Sequence, residues 1–246
     1  MRLYGSTVLL RILAFVTFLL AAAYVSAAPT PQPQISQRAE FSVIRDYARP
    51  ILIKRKASFL SLSGDQIVGS ASAIVIAPGY ATTSYHVFGG IPKDVTVVHV
   101  MLVDEDEITV KMVAKDEDND VVIIKGNFKC PCAPLTKKRP YQDQEAYAVG
   151  FPAYSMVQSQ FVTWGHVQNK PDAAYILTTT NTGPGGAGGG IFVKEDGKWK
   201  LAGIVTAIGR TPLAPNVAQE YNWMLFSSPV SNVQELLKKI PDAKTI

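Results

Sequence analysis

The stretch GPGGAGGGIF, Gly183–Phe192, holds six glycines in its first eight residues and lies between two apolar runs that read as strands. Glycine clusters serve linkers, phosphate cradles, and tight loops whose backbone N–H groups point at a ligand. A phosphate cradle would continue as Gly-Lys-Ser/Thr, and this stretch continues as Ile191-Phe192 instead. Amid the glycines stands the methyl of Ala187. The surrounding chain decides what such a loop is for.

On either side of it are AAYILTTTN and GIFVKEDGKWKLAGIVTAIG, the second containing Asp196-Gly197, a good two-residue hairpin turn between alternating strands. Further out come PILIKRKASFLSLSG, QIVGSASAIVIAPG, YATTSYHVF, DVTVVHVMLVD, EITVKMVAKDED, DVVIIKG, EAYAVGFP, SQFVTWGHVQN and YNWMLFSSP. Several alternate with period two and are rich in Val, Ile and Thr, as half-buried antiparallel strands should be. Many short strands without helical periodicity indicate a sandwich or barrel. A Pro- and Lys-rich connection near 131–144 splits them into two similar sets, which predicts two packed β-units over 41–135 and 136–229. One helix is predicted, within 230–246. Ser231 would cap it with Gln234 completing a capping box, and Val233, Leu236, Leu237 and Ile240 would pack on the last β-unit.

The chain has 246 residues, 47% hydrophobic and 9% aromatic, which suits a globular protein with a sizeable core. A net charge of +4 gives no nucleic-acid footprint, and Lys137-Lys138-Arg139 reads as a solvated connection. Arg2 and Arg11 precede an apolar run ending in small residues, so 1–27 reads as a signal peptide cut between Ala27 and Ala28. The alternative is an uncleaved membrane anchor, the only membrane contact expected. Residues 28–40 form a Pro-rich linker. Either way the domain is expected outside the cytosol, secreted or periplasmic. The two cysteines, Cys130 and Cys132, would close a strained ring through Pro131, and are read as packed or free thiols in a turn. They are too few for a zinc site, and no metal is expected.

Of three histidines, His99 and His166 sit in alternating strands and read as surface or satisfied groups. His86 ends a strand beside a Gly pair, where a scaffold can present a base. In the acidic run DEDND, Asp116, Glu117 and Asp118 read as a solvated loop, as do residues 104–107. Asp120 alone abuts the buried strand VVIIKG, so it alone can be drawn inside to orient an imidazole.

In the order His86, Asp120, glycine loop, the chain resembles the trypsin-like (chymotrypsin-fold) serine proteases, particularly compact HtrA/Deg-type and related bacterial or viral members. GSASAIVIAPGYATTSYHV is similar to that family's strand-turn-strand leading to the catalytic histidine. DNDVVIIKG is similar to its strand after the catalytic aspartate, AYAVGFPAYSMVQSQFVTWGHVQN to its AIGxP segment, and LAGIVTAI to its substrate-side strand. The resemblance covers about 41–240 and implies an all-β fold of two packed antiparallel β-barrels with a short C-terminal helix. It implies catalytic positions His86, Asp120 and Ala187, oxyanion donors at Gly185 and Ala187, and a pocket bounded by Asn181, Thr206, Ala207 and Ile208. The partner it implies is a protein or peptide substrate, with no cofactor. The pocket positions carry no acid, which argues against an Arg or Lys preference and points to a small or aliphatic residue.

Ala187 departs from the family. A methyl cannot attack a carbonyl, no Ser or Cys lies elsewhere in the loop, and Thr182 would sit on the pocket wall. Two accounts follow: a Ser-to-Ala form of an active protease, or a natural pseudoprotease that binds peptide or protein. A third reading, a secreted β-module with a plain connecting loop, leaves the order of His86 and Asp120 unexplained.

Overall fold

Val121–Ile124 and Ala71–Ala77 are apolar or small at nearly every position, because both faces of these strands are buried. Alternate side chains serve different cores. In the computed structural model, which describes residues 41–57, 64–89, 96–168, 173–214 and 217–241, Val122 and Ile124 join Ala71, Ala73 and Val75 inside the first β-unit. Val121 and Ile123 instead join Ile74 and Ile76 on the other face. The second unit repeats this: Ala146, Ala148, Ile191 and Val193 fill its interior, while Tyr147, Val149 and Phe192 face the shared layer. The period-2 alternation of a strand thus builds one core within each unit and one between them.

Two antiparallel sheets carry these layers. The first has seven strands in the order β5-β4-β1-β2-β3-β7-β6. They are β1 (Ala48–Arg55), β2 (Gln66–Ala77), β3 (Tyr80–Thr83), β4 (Val97–Val103), β5 (Asp106–Thr109), β6 (Lys111–Asp116) and β7 (Val121–Lys125). The second has six, in the order β10-β13-β12-β11-β8-β9. These are β8 (Glu145–Gly150), β9 (Phe161–His166), β10 (Ile176–Thr178), β11 (Gly190–Glu195), β12 (Lys198–Ala214) and β13 (Val217–Pro229). Both sheets curl, and the fold is the expected all-β pair with a short C-terminal helix. Short helices α1 (His86–Gly89) and α2 (Tyr154–Val157) follow β3 and β8. Asp196 and Gly197 make the expected hairpin turn, both with positive φ as a type I′ turn requires.

Four expectations need correction. β3 stops at Thr83, and His86 opens α1 instead of ending the strand. β12 and β13 run past the predicted strand ends as a long two-stranded ribbon, in which Pro212 faces Ala218. A proline is tolerated there because the ribbon leaves an outer edge that needs no N–H. Cys130 and Cys132 are bonded to each other, and the cysteines are not free. The ends of their segment are tied down by Gly79 N–H on Phe128 O and Ala133 N–H on Val75 O, both at 2.8 Å. That brings the cysteine Cα atoms to 4.6 Å, within bridging range.

The fourth concerns the last helix, α3 (Val230–Lys238). Its N-cap is Pro229, without a side-chain cap bond, and Ser231 lies inside the first turn. Pro229 ends β13 and fixes the turn so that Val230 is buried at once, which moves the start ahead of Ser231. Gln234 donates to Thr136 O instead of closing a capping box. The apolar face is as expected, but it seals the layer between the sheets: Val233, Leu236 and Leu237 share a cluster with Val121 and Ile123 of the first sheet and Leu201 and Ile204 of the second. Residues 1–40, with the signal-peptide and linker expectations, lie outside the described residues, as do 242–246. Among the described residues no helix is long and apolar enough to cross a membrane.

Because Leu236 is 1% exposed and touches this shared layer, Leu236→Ala should lower stability by about 2–5 kcal/mol. Guanidinium unfolding should show one transition moved to lower denaturant for both β-units. Loss of one unit with the other unmoved would show that α3 does not couple them.

Candidate active site

His86 is placed by its own neighbours. β3 ends in Thr82 and Thr83, which with the following Ser84 are fully buried, and the chain then turns into α1. Asp120 closes the 117–120 turn before β7 with φ +50°, a left-handed conformation that Asp tolerates better than most residues. Three contacts join the two segments. Tyr85 N–H donates to Asp120 O at 3.2 Å, His86 N–H to Oδ1 at 2.8 Å, and the imidazole Nδ1 lies 2.8 Å from Oδ2. An ionised carboxylate only accepts, so this contact puts a proton on Nδ1, and in the neutral ring the lone pair is then on Nε2. The Asp120 hydrogen bond pushes the His86 pKa above its ordinary value; partial burial opposes this and the carboxylate charge reinforces it.

The loop reading of the other acids is corrected in part, since Asp116 ends β6 opposite Val121 and Asp106 and Glu107 open β5. Asp116 accepts from the Asn119 backbone and side chain, and Glu117 pairs with Lys115 at the surface. His99 stacks on Phe88 of α1 at 3.8 Å between ring centroids and reaches Val87 O at 3.0 Å, a structural support for the helix that carries His86.

The glycine loop is held almost wholly through its backbone. Gly186 N–H bonds Gly183 O, Gly189 N–H bonds Gly186 O, and Gly188 N–H bonds Val205 O, at 2.8–3.0 Å. Pro184 O accepts from Ala153 N–H, and Ala187 O from Ser72 N–H. Gly185 and Gly188 have φ of +86° and +82°, so both need glycine. At Gly188 a Cβ would also fall 2.0 Å from Thr83 Oγ1. Among the described residues, the N–H groups of Gly185 and Ala187 have no hydrogen-bond partner.

Two links bring the loop to the histidine. Val205 O, which takes the Gly188 N–H, also accepts Ser84 Oγ–H at 2.7 Å, two residues before His86. Ala187 packs against the first β-unit's core, the same cluster that holds Val87. Of the four pocket candidates, Asn181 lines a small recess beside the loop with Gly150, Pro152, Phe161, Thr182 and Val205. Its volume is ≈ 10 Å³, room for about one water. Thr206 turns its hydroxyl to Phe226 O, Ala207 is exposed, and Ile208 packs against the second unit's interior. Thr182 lies on the wall of this recess. The sequence reading passed over Ser72 and the Val205 carbonyl, for which no motif exists. Among the described residues no cluster of His, Cys, Asp and Glu could hold a metal.

The model of the trypsin-like peptidase domain matches residues 71–204, which include His86, Asp120 and the whole glycine loop. Among solved structures, the serine endoprotease from Yersinia pestis superposes with a TM-score of 0.62 at 17% identity, over 85% of this chain and 67% of that one. At that identity the likeness establishes the fold. A search of curated proteins by sequence finds no match. Since the family model spans more than half of the 246 residues, the chain belongs to the trypsin-like peptidase family.

Proposed function

We propose that this is a serine endopeptidase domain that, with Ala187 at the nucleophile position, binds peptide without cleaving it. One observation carries the reading: the Asp120 carboxylate grips His86 by backbone and ring at once, so that the neutral ring presents its Nε2 lone pair, and the nearby loop carries two unengaged amides. In the proposed mechanism, a hydroxyl at 187 would give its proton to His86 Nε2 as the oxygen attacked the peptide carbonyl. Asp120 would stabilise the imidazolium, and Gly185 and Ala187 N–H would receive the developing oxyanion. His86 would then return the proton to the leaving amine. No step needs a cofactor. The narrow recess at Asn181 and Thr182 supports a small residue before the cleaved bond.

Without the hydroxyl, loss of the nucleophile costs about six decades in turnover. The intact base, orienter and loop favour a parent with serine at 187 over a cleft that has drifted. Ala187→Ser should therefore label with a fluorophosphonate probe and cleave a small-residue peptide library, with a gain of several decades, and His86→Ala in that background should remove both. If Ala187→Ser folds but neither labels nor cleaves, the pseudoprotease reading holds instead.

The base must be neutral, and Asp120 raises the His86 pKa. The kcat/KM of Ala187→Ser should therefore climb with pH through an inflection above the ordinary histidine value of about 6.5. Asp120→Asn should move the inflection down and slow the reaction by about four decades. The same shift stabilises the fold fully below the unfolded pKa, and that contribution is lost as pH rises through the folded one. An inflection below 6.5 would contradict the ion pair. We also propose an extracytoplasmic location, on the strength of residues 1–27. N-terminal sequencing of exported protein should begin at Ala28; a start at Met1, or retention in membranes after alkaline wash, would favour the anchor.

A further inference from the structure

We infer that Ser72, buried in the middle of β2, is a positioning residue that keeps the two free amides of the glycine loop turned outward; this rests on the functional reading above. Ser72 is 0% exposed, so it cannot meet a substrate. In the β1–β2 register it faces Pro50, which has no N–H to offer. Its own polar groups are engaged elsewhere: the N–H donates to Ala187 O at 2.8 Å, and the carbonyl accepts from Thr83 Oγ1 at 2.6 Å. The hydroxyl donates to Gly185 O at 3.0 Å and accepts from Phe151 N–H at 2.8 Å. One residue thus holds two carbonyls of the loop and the start of the segment that leads to Ala153.

The planarity of the peptide unit turns these contacts into control of the amides. The free N–H of Gly185 belongs to the Pro184–Gly185 plane, whose carbonyl is held by Ala153 N–H at 2.5 Å. The free N–H of Ala187 belongs to the Gly186–Ala187 plane, whose carbonyl takes Gly189 N–H at 3.0 Å. Between them lies the Gly185–Gly186 plane, and its carbonyl is the one the Ser72 hydroxyl holds. That middle plane is otherwise tied only by Gly186 N–H on Gly183 O at 2.9 Å, and Gly185 can rotate through conformations closed to other residues, so releasing its carbonyl removes one of two restraints on the plane that sets the angle between the free amides. Ser72 also acts at a second point. Ala153 sits at φ +49°, which costs a residue with a Cβ about 1–2 kcal/mol. The Ser72 contact to Phe151 anchors the chain two residues before that strained position.

The test separates positioning from mere stability. In the chain carrying Ala187, Ser72→Ala should bring microsecond-to-millisecond exchange to the Gly185 and Ala187 amides in 15N relaxation dispersion. In the Ala187→Ser background it should lower kcat about 10- to 100-fold, with KM within about twofold, because a displaced oxyanion donor acts on the transition state. Ser72→Cys, with a weaker donor, should fall between, and it carries the test if Ser72→Ala does not fold. Quiet amides with unchanged kcat, or a rise in KM alone, would overturn the inference. If Ala187→Ser itself does not cleave, the functional reading fails, and the amide measurement alone then decides the role of Ser72.

Discussion

The carbonyl of Val205 accepts hydrogen bonds from both halves of the site, Ser84 Oγ–H at 2.7 Å and Gly188 N–H at 2.8 Å. Ser84 and Gly188 are both buried, so breaking either contact leaves a polar group without water, at about 1–3 kcal/mol. The N–H of the same residue holds Gly189 O at 2.8 Å. One residue of β12, through its two adjoining peptides, therefore fixes the loop's far end and the approach to His86 together. A backbone acceptor suits this task because it has no rotamer to lose. The relation between base and loop depends on the backbone of β12 at Val205, which pairs with Ser227 of β13 just before a register shift, not on a side chain.

That demand explains how the packing is arranged. β12 is held by β11 on one side and β13 on the other, and its Leu201 and Ile204 are fully buried in the layer shared by both sheets. Strands with two buried faces cannot slip by one residue, since a slip would exchange the contents of two cores. α3 and the helical segment 41–45 contribute Leu236 and Ile44 to the same layer. The His86–Asp120 pair has a similar logic on a smaller scale. Asp120 can receive both the ring and the backbone of His86 only because its own left-handed backbone turns the carboxylate back toward α1.

Much of this was legible in the sequence where a residue type is forced by backbone geometry or by the chemistry of titration. The glycines at 185 and 188 advertise positive φ, and Asp120 stands out because it alone borders a strand too apolar to be exposed. The disulfide was misread because the spacing argument considered the ring in isolation, whereas contacts at Phe128 and Ala133 set the separation of the cysteines. The cap at Ser231 was misread for a related reason: burial of Val230 outweighed the local capping preference. The extended ribbon was missed because prolines are strand breakers only where an N–H is required. Ser72 carried no signal at all. A serine among alanines in a buried strand becomes informative only when the loop 113 residues away is in place.

Ala187 sits within this frame without disturbing it. Every hydrogen bond that shapes the loop around position 187 is made by backbone atoms or by the Ser72 hydroxyl. None needs a side-chain oxygen at 187 itself, and its methyl packs against the first β-unit's core. The geometry of the amides and of His86 is therefore set by Ser72, Val205, Ala153 and Asp120, whichever small residue stands at 187. Folding and chemistry separate at this residue. On the function proposed above, the scaffold would stabilise a charge distribution that only a nucleophile can bring about, and an extended peptide would rest near the amides without reaction, since the surfaces that would bind it and the oxygen absent at 187 belong to different parts of the structure.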